Sequence, residues 1–197
     1  MHHLINRAFQ SFVRDTFGPA TCARLIQQAG LRQDSFECLF DHDPATTTKV
    51  VDAAVRLLGR PRAALFEDMG TYLVSHQNSE NLRRLLRFGG ARFIDFLHSL
   101  DDFPDRVQLA LPHLDLPQLQ LIEHSPDAFT LRFTTDLGDL GHILVGLLRA
   151  MADDYGALVL LDHRGQVNFA EELTIQVLDE GHTKGRRFEL AAAGEVA

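Results

Sequence analysis

Ten histidines stand in this 197-residue chain beside 27 acidic side chains and two cysteines. Imidazole is both a metal ligand and a proton carrier near neutral pH, so the count raises the question of a metal or proton-transfer site. Asp41-His42-Asp43 and Asp162-His163 place carboxylates beside imidazoles, the pairing that serves general acid–base work or orients a metal-bound histidine. Both sit next to proline or glycine, where aspartate ordinarily caps a helix or closes a turn, and the turn reading outweighs the catalytic one. Asp101-Asp102 and Asp153-Asp154 are adjacent pairs, so on a helix their carboxylates diverge by about 100° and cannot share a proton. They read as caps or a solvated face. Cys22 and Cys38 form no CxxC pair and are too few for a disulfide framework. The GxSxG, HExxH, P-loop and GxGxxG signatures are absent, so nothing recommends an enzyme.

A formal net charge of -8 has the wrong sign for a nucleic-acid backbone or an anionic membrane surface. No apolar run reaches the roughly 18 residues that span a bilayer. The first thirty residues are amphipathic, without the uniform apolar core of a signal peptide, which places the expected protein in the cytoplasm. Arg83, Arg84, Arg87 and Arg92 form a local basic patch, either a solvated helix face or a docking site for another protein.

The elements that must position these residues change character along the chain. Leu4, Ile5, Ala8, Phe9, Phe12 and Val13 fall at helical spacing, and further helices are expected from Pro19 to Gly30, from Asp43-Pro44 to Gly59 and from Pro61 to about Leu73. Another surrounds Leu82 to Leu86, and one carries Phe93 to Leu100 up to Asp101-Asp102 and Pro104. After Pro112 the texture becomes strand-like: Leu119–Glu123 and Phe129–Thr135 around the turn Ser125-Pro126-Asp127. A long helix from Leu140 to Tyr155 follows, then strands Ala157–Leu161 and Leu173–Leu178 joined through Asp162-His163-Arg164-Gly165. Helices followed by strands with one inserted helix make an α+β domain. It is expected to span 1–180, helical over about 1–112 and sheet-forming over about 113–180, with a partly frayed tail over 181–197.

This order and several motifs resemble the H-NOX, or haem-NO-binding, family. Ile5-Asn6, Phe17-Gly18 and Ala29-Gly30-Leu31 are similar to its opening. Phe88-Gly89-Gly90, Phe96-Leu97 and Leu100-Asp101 resemble its phenylalanine-glycine and leucine-aspartate signature, and Gly146-Leu147-Leu148 its late helix. The resemblance implies a haem (heme) held between a helical part and a sheet part, sensing nitric oxide or oxygen. It also implies where the haem determinants should be, and there the sequence departs. Pro104 occupies the position of the iron-ligating histidine, and Phe133, Thr135 and Leu137 replace the tyrosine, serine and arginine that bind the propionates. Proline cannot ligate iron, and leucine removes the strongest carboxylate anchor. Arg132 is no substitute, because neighbours on a strand face opposite sides.

The resemblance further places Phe9, Leu100 and the helix starting near Leu140 around the ligand, with His142 where some members carry a distal tyrosine. His142 has two readings, an iron ligand from the opposite face or a locally hydrogen-bonded histidine. His98 lies about 240° around a helix from the required position. The resulting expectation is a sensory protein with no chemistry of its own. It reports to a separate effector such as a diguanylate cyclase, histidine kinase or chemoreceptor, and its internal site takes an unidentified apolar ligand or none. Two alternatives stay open: a haem-based nitric oxide sensor using a non-family ligand such as His142, and a structural adaptor with a filled core.

Overall fold

The computed structural model describes residues 2–31, 44–110, 116–135 and 138–186. Among the described residues seven α-helices come first: α1 (His2–Phe17), α2 (Pro19–Gln28), α3 (Pro44–Leu58), α4 (Arg62–Ser75), α5 (Glu80–Arg87), α6 (Phe93–His98) and α7 (Phe103–Ala110), with a short 3-10 helix (Gln77–Ser79) between α4 and α5. Then come strands β1 (Leu119–Ser125) and β2 (Ala128–Phe133), helix α8 (Leu140–Tyr155) and strands β3 (Leu158–Val167) and β4 (Ala170–Asp179). The strands form one antiparallel sheet in the order β1-β2-β4-β3. The fold is α+β, as the switch in hydrophobic period requires. Asp43, the expected cap of α3, lies outside the described residues, as do Cys38 and Asp41-His42.

Apolar side chains gather in two clusters. Phe9, Phe12, Val13, Leu25, Val51, Leu65, Phe66 and Met69 make a core among the first four helices. Leu86, Phe96, Leu97, Leu100, Phe129, Leu131, Phe133 and Leu173 make a second between α5–α7 and the sheet. Helix α8 belongs to both: Ile143 joins the first, while Leu144, Leu147, Leu148 and Met151 join the second. Twelve of its sixteen residues are buried, which marks it as the helix around which the others pack. Gly70 of α4 and Gly146 of α8 let the two backbones meet. A methyl group on Gly70 would lie 2.8 Å from the backbone nitrogen of Leu147, and one on Gly146 would lie 2.7 Å from the carbonyl carbon of Glu67. The Thr71 hydroxyl donates to the Gly146 carbonyl at 3.2 Å across the same crossing.

Two elements differ from the sequence expectation. The helical pattern was expected to stop at Pro104, whereas α7 begins at Phe103 with Pro104 in its first turn. The N–H that proline lacks has no helical partner there anyway. The expected turn at Asp162–Gly165 is instead the middle of β3, with a bulge between His163 and Gly165. The chain reverses at Asn168-Phe169, both with positive φ of 48° and 68°. Neither residue announces such a turn as glycine would.

At the far end of α4, the Tyr72 hydroxyl donates to Asp15 Oδ2 at 2.7 Å and the Asn78 amide donates at 3.0 Å, tying α1 to the α4 terminus. The Tyr72 bond holds the Asp15 carboxyl below its ordinary range, while burial and the Asp15 contact push Tyr72 up to about 12. A depressed carboxylate stabilises the fold above its unfolded value of about 4, and the effect disappears as pH falls through the folded value. Tyr72→Phe is therefore expected to cost about 1 kcal/mol at pH 7 in urea denaturation. The difference from wild type should shrink below about pH 4. A second expectation concerns the helix crossing: Gly146→Val should lose about 2–3 kcal/mol or more, because its new methyl groups meet backbone that cannot yield.

Candidate functional site

The glycines of the Phe88-Gly89-Gly90 segment are contact residues. A Cβ at Gly89 would collide with the Ser99 side chain, and one at Gly90 with that of Asp95, so the chain before α6 lies directly on that helix. The Gly90 carbonyl accepts from the Tyr155 hydroxyl at 3.0 Å, which fastens it to the end of α8. Asp101 Oδ1 accepts from the backbone N–H of Leu121 at 2.6 Å, so the α6–α7 turn is held against β1. This frame positions Leu100, 2% exposed, and the buried Pro104 one turn further on.

Phe133 ends β2 with its ring buried in the same cluster as Leu100, and Leu140 and Leu144 of α8 belong there too. Arg132 points the other way and pairs with Glu172 at 2.7 Å, as strand alternation requires. Thr135 is half-buried beyond the strand end, and Leu137 lies outside the described residues. Phe9 belongs to the other core, where its ring meets that of Phe66 at 5.7 Å. The structure thus brings Leu100 and Phe133 into one cluster and leaves Phe9 on the opposite side of α8.

His142 lies with neither group. It shares a stripe of α8 with Gly146, Arg149 and Asp153, facing Glu67 of α4 with Nδ1 3.8 Å from the carboxylate. Its Nδ1 has no hydrogen-bond partner among the described residues. Its ring stands perpendicular to that of His163, centroids 4.8 Å apart. His163, read from sequence as a turn residue, is a strand residue 13% exposed, bonded through Nε2 to Glu171 at 2.9 Å and packed on Gly141. The sequence signal that could have found it is Gly141 at the start of a helix, which leaves room for a ring. His98 lies at the rim, 3.6 Å from Glu123 and half exposed.

The sequence comparison decides the family. A family model described as Haem-NO-binding matches residues 2–163. The chain belongs to the Haem-NO-binding family. Its fold is similar to solved H-NOX structures. One from K. algicida, described as Fe(II) unliganded, gives a TM-score of 0.70 at 15% identity, covering 96% of this chain and 100% of that one. One from S. oneidensis in the Fe(II)NO ligation state gives 0.70 at 14% identity, covering 91% and 100%. At such identity the likeness shows the fold. Among curated proteins, a soluble guanylate cyclase of Caenorhabditis elegans is 21% identical over 92% of this chain and 24% of its own length. The soluble guanylate cyclase beta-2 subunit of Rattus norvegicus is 24% identical over 62% of this chain and 19% of its own length. The chain therefore spans a quarter or less of either cyclase.

Do the residues present fit a haem? Pro104 offers no electron pair to iron, and Phe133 has no hydroxyl for a propionate. At the positions that the resemblance implies, these residues do not fit a haem held in the family's way, although Thr135 keeps a hydroxyl where the family has serine.

Two expectations about charged residues need correction. Asp154 is neither a cap nor solvated: it is 2% exposed and receives Arg83 at 2.7 Å, with Arg87 at 3.6 Å. The four arginines are not a free basic patch. Arg83 and Arg87 turn inward to Asp154, Arg84 pairs with Glu80 at 3.1 Å, and Arg92 pairs with Asp95 and Glu180 at 2.9 and 3.4 Å. The Arg87 guanidinium also lies 3.8 Å over the Tyr155 ring. Asp154→Ala would leave buried guanidinium charge uncompensated and is expected to lower unfolding free energy by about 3 kcal/mol or more. Exposed Asp153→Ala should stay within about 0.5 kcal/mol in the same denaturation assay.

Proposed function

We propose that this chain is a cytoplasmic sensory module of the Haem-NO-binding type. It regulates a separate effector by protein–protein contact, performs no chemistry of its own, and has an internal site that does not use the family's iron ligation. The observation that supports this reading is the buried Pro104, which the resemblance aligns with the iron-ligating histidine, in a chain that belongs to the family. Leu100, Phe133, Leu140 and Leu144 share one apolar cluster, so an occupant among them would be an apolar molecule. Because α8 contributes to both cores, an occupant that displaces it on the sheet side is felt on the helical side through the Gly70–Gly146 crossing. A ligand that binds better to a shifted packing of that helix would draw the population toward it. The effector is of the class represented by diguanylate cyclases, histidine kinases and chemoreceptors. Nucleic acid and membrane are not part of the reading. The position of His142, against Glu67 and His163, favours this version over one in which His142 holds iron.

Expression with added haem precursor, followed by visible spectroscopy, tests the reading. Wild-type protein is expected to show no stoichiometric Soret band. A nitric oxide-responsive band that disappears in His142→Ala would overturn the reading in favour of a haem sensor with a non-family ligand. Melting temperatures measured against a series of apolar small molecules then separate sensor from adaptor. A saturable rise supports an internal ligand site, and no rise across the series leaves the adaptor.

A further inference from the structure

The sheet spends one face on α8 and the helical core, and its outer face ought to be polar in a half-buried antiparallel sheet. At one end it is not. Leu158, Leu160 and Leu178 are 40%, 61% and 52% exposed. Strand alternation puts Leu158 and Leu160 on the same outward side as Asp162. Leu178 joins them where the β3–β4 register skips between Leu158↔Asp179 and Val159↔Val177. One exposed leucine is ordinary, whereas three adjoining ones on a sheet face need an occupant.

The border of this patch is acidic. Asp179 follows Leu178 in the chain, Asp162 stands two residues beyond Leu160, and the Asp127 carbonyl accepts from Val177 N–H at 2.7 Å, which puts that aspartate beside the same end of β4. Arg164 holds Asp162 at 3.0 Å, while Asp179 takes the Gly181 N–H at 2.9 Å and His182 at 4.0 Å. A second copy of this chain, with its net charge of -8, would bring like charges together, as would an anionic membrane. Strand addition to the β3 edge is also disfavoured, since the register breaks at both Leu158/Val159 and His163/Gly165.

We infer that the outer face of the β3–β4 hairpin around Leu158, Leu160 and Leu178 docks an amphipathic, basic segment of a protein partner, apolar on one side and rich in lysine or arginine on its flanks. This rests on the reading of the chain as a module that signals by docking. The leucines supply contact area; with Asp162 taken up by Arg164, it is Asp127 and Asp179 beside the patch and the net charge of -8 that select the sign of the partner and speed its approach.

The test uses the full chain and a synthetic helical peptide of about five turns, leucine on one face and lysine on the other, with a glutamate-faced peptide as control. Binding is read by fluorescence anisotropy and by amide shift perturbation in NMR. The lysine peptide should bind, weaken with added salt and perturb amides of β3 and β4; the glutamate peptide should not bind. Leu160→Asp is the deciding variant, because it removes apolar contact while adding negative charge. Its affinity for the lysine peptide should fall about tenfold or more. Leu160 is largely exposed, so the variant is expected to keep its fold, which circular dichroism checks. Affinity that is unchanged or tighter in Leu160→Asp would mean charge attraction alone and overturn the inference. So would perturbations elsewhere on the chain, or self-association of wild type that Leu160→Asp abolishes. These readouts do not involve the internal site. Their failure with an unchanged apolar-ligand result removes the surface and spares the sensory reading, while the reverse pattern removes the internal sensor and leaves the docking face.

Discussion

The close crossing of α4 and α8 at Gly70 and Gly146 is the constraint on which the rest of the structure depends. It draws two helix backbones to a separation that no other side chain permits, and it makes α8 a shared wall for both apolar clusters. The helical core rests on one side of that wall through Ile143, and the sheet core rests on the other through Leu144, Leu147, Leu148 and Met151. Packed interiors do not deform smoothly, so a displacement of α8 is passed on and not absorbed. The buried Asp154 with Arg83 and Arg87 fixes the far end of the same helix. The backbone bond from Arg186 N–H to the Asp154 carbonyl at 2.9 Å carries the chain past β4 back to that end. The first part of the tail, expected to fray, is therefore stitched down as far as residue 186.

The frame is compatible with the donor replacements that the resemblance implies, because the two sets of residues have separate tasks. Gly89 and Gly90 allow close approach to α6, Asp101 accepts a backbone hydrogen bond from β1, and Gly146 admits α4. Each of these residues carries part of the family resemblance, and each acts on packing whether or not an iron is present. Pro104 and Phe133 are tolerated for the same reason. Proline suits the first turn of a helix, and a phenyl ring at the end of β2 adds apolar area to a cluster that already contains Leu100 and Phe129.

Much of the fold was legible in sequence because it rests on periodicity. The early helices, the β1–β2 hairpin and α8 each carry an apolar pattern that only one element type can bury. Where the expectation failed, the determining interaction was distant in the chain. Asp154 looks like one of two solvated aspartates until Arg83 and Arg87, some seventy residues earlier, are folded onto it. His163 looks like a turn residue because Asp162 and Gly165 flank it, but pairing with β4 extends the strand through that segment and takes up Gly165 in a bulge. The replacement of haem donors by Pro104 and Phe133 is what the family resemblance implies, and it rests on that resemblance alone. What sequence could not supply was the company His142 keeps, since neither Glu67 nor His163 is near it in the chain.

The distribution of charge has the same character. Composition indicates an acidic protein, and the arginines between residues 83 and 92 appear to be its exception. Folding reverses that impression, because each of them is taken up by a carboxylate, Asp154 within the structure and Glu80, Asp95 or Glu180 nearer the surface. A charge already compensated within the chain adds little to long-range attraction, since partners feel the summed field. The arginine cluster is therefore architecture. The outward sign of the molecule is set by its net charge of -8, which favours a cationic over an anionic partner at long range.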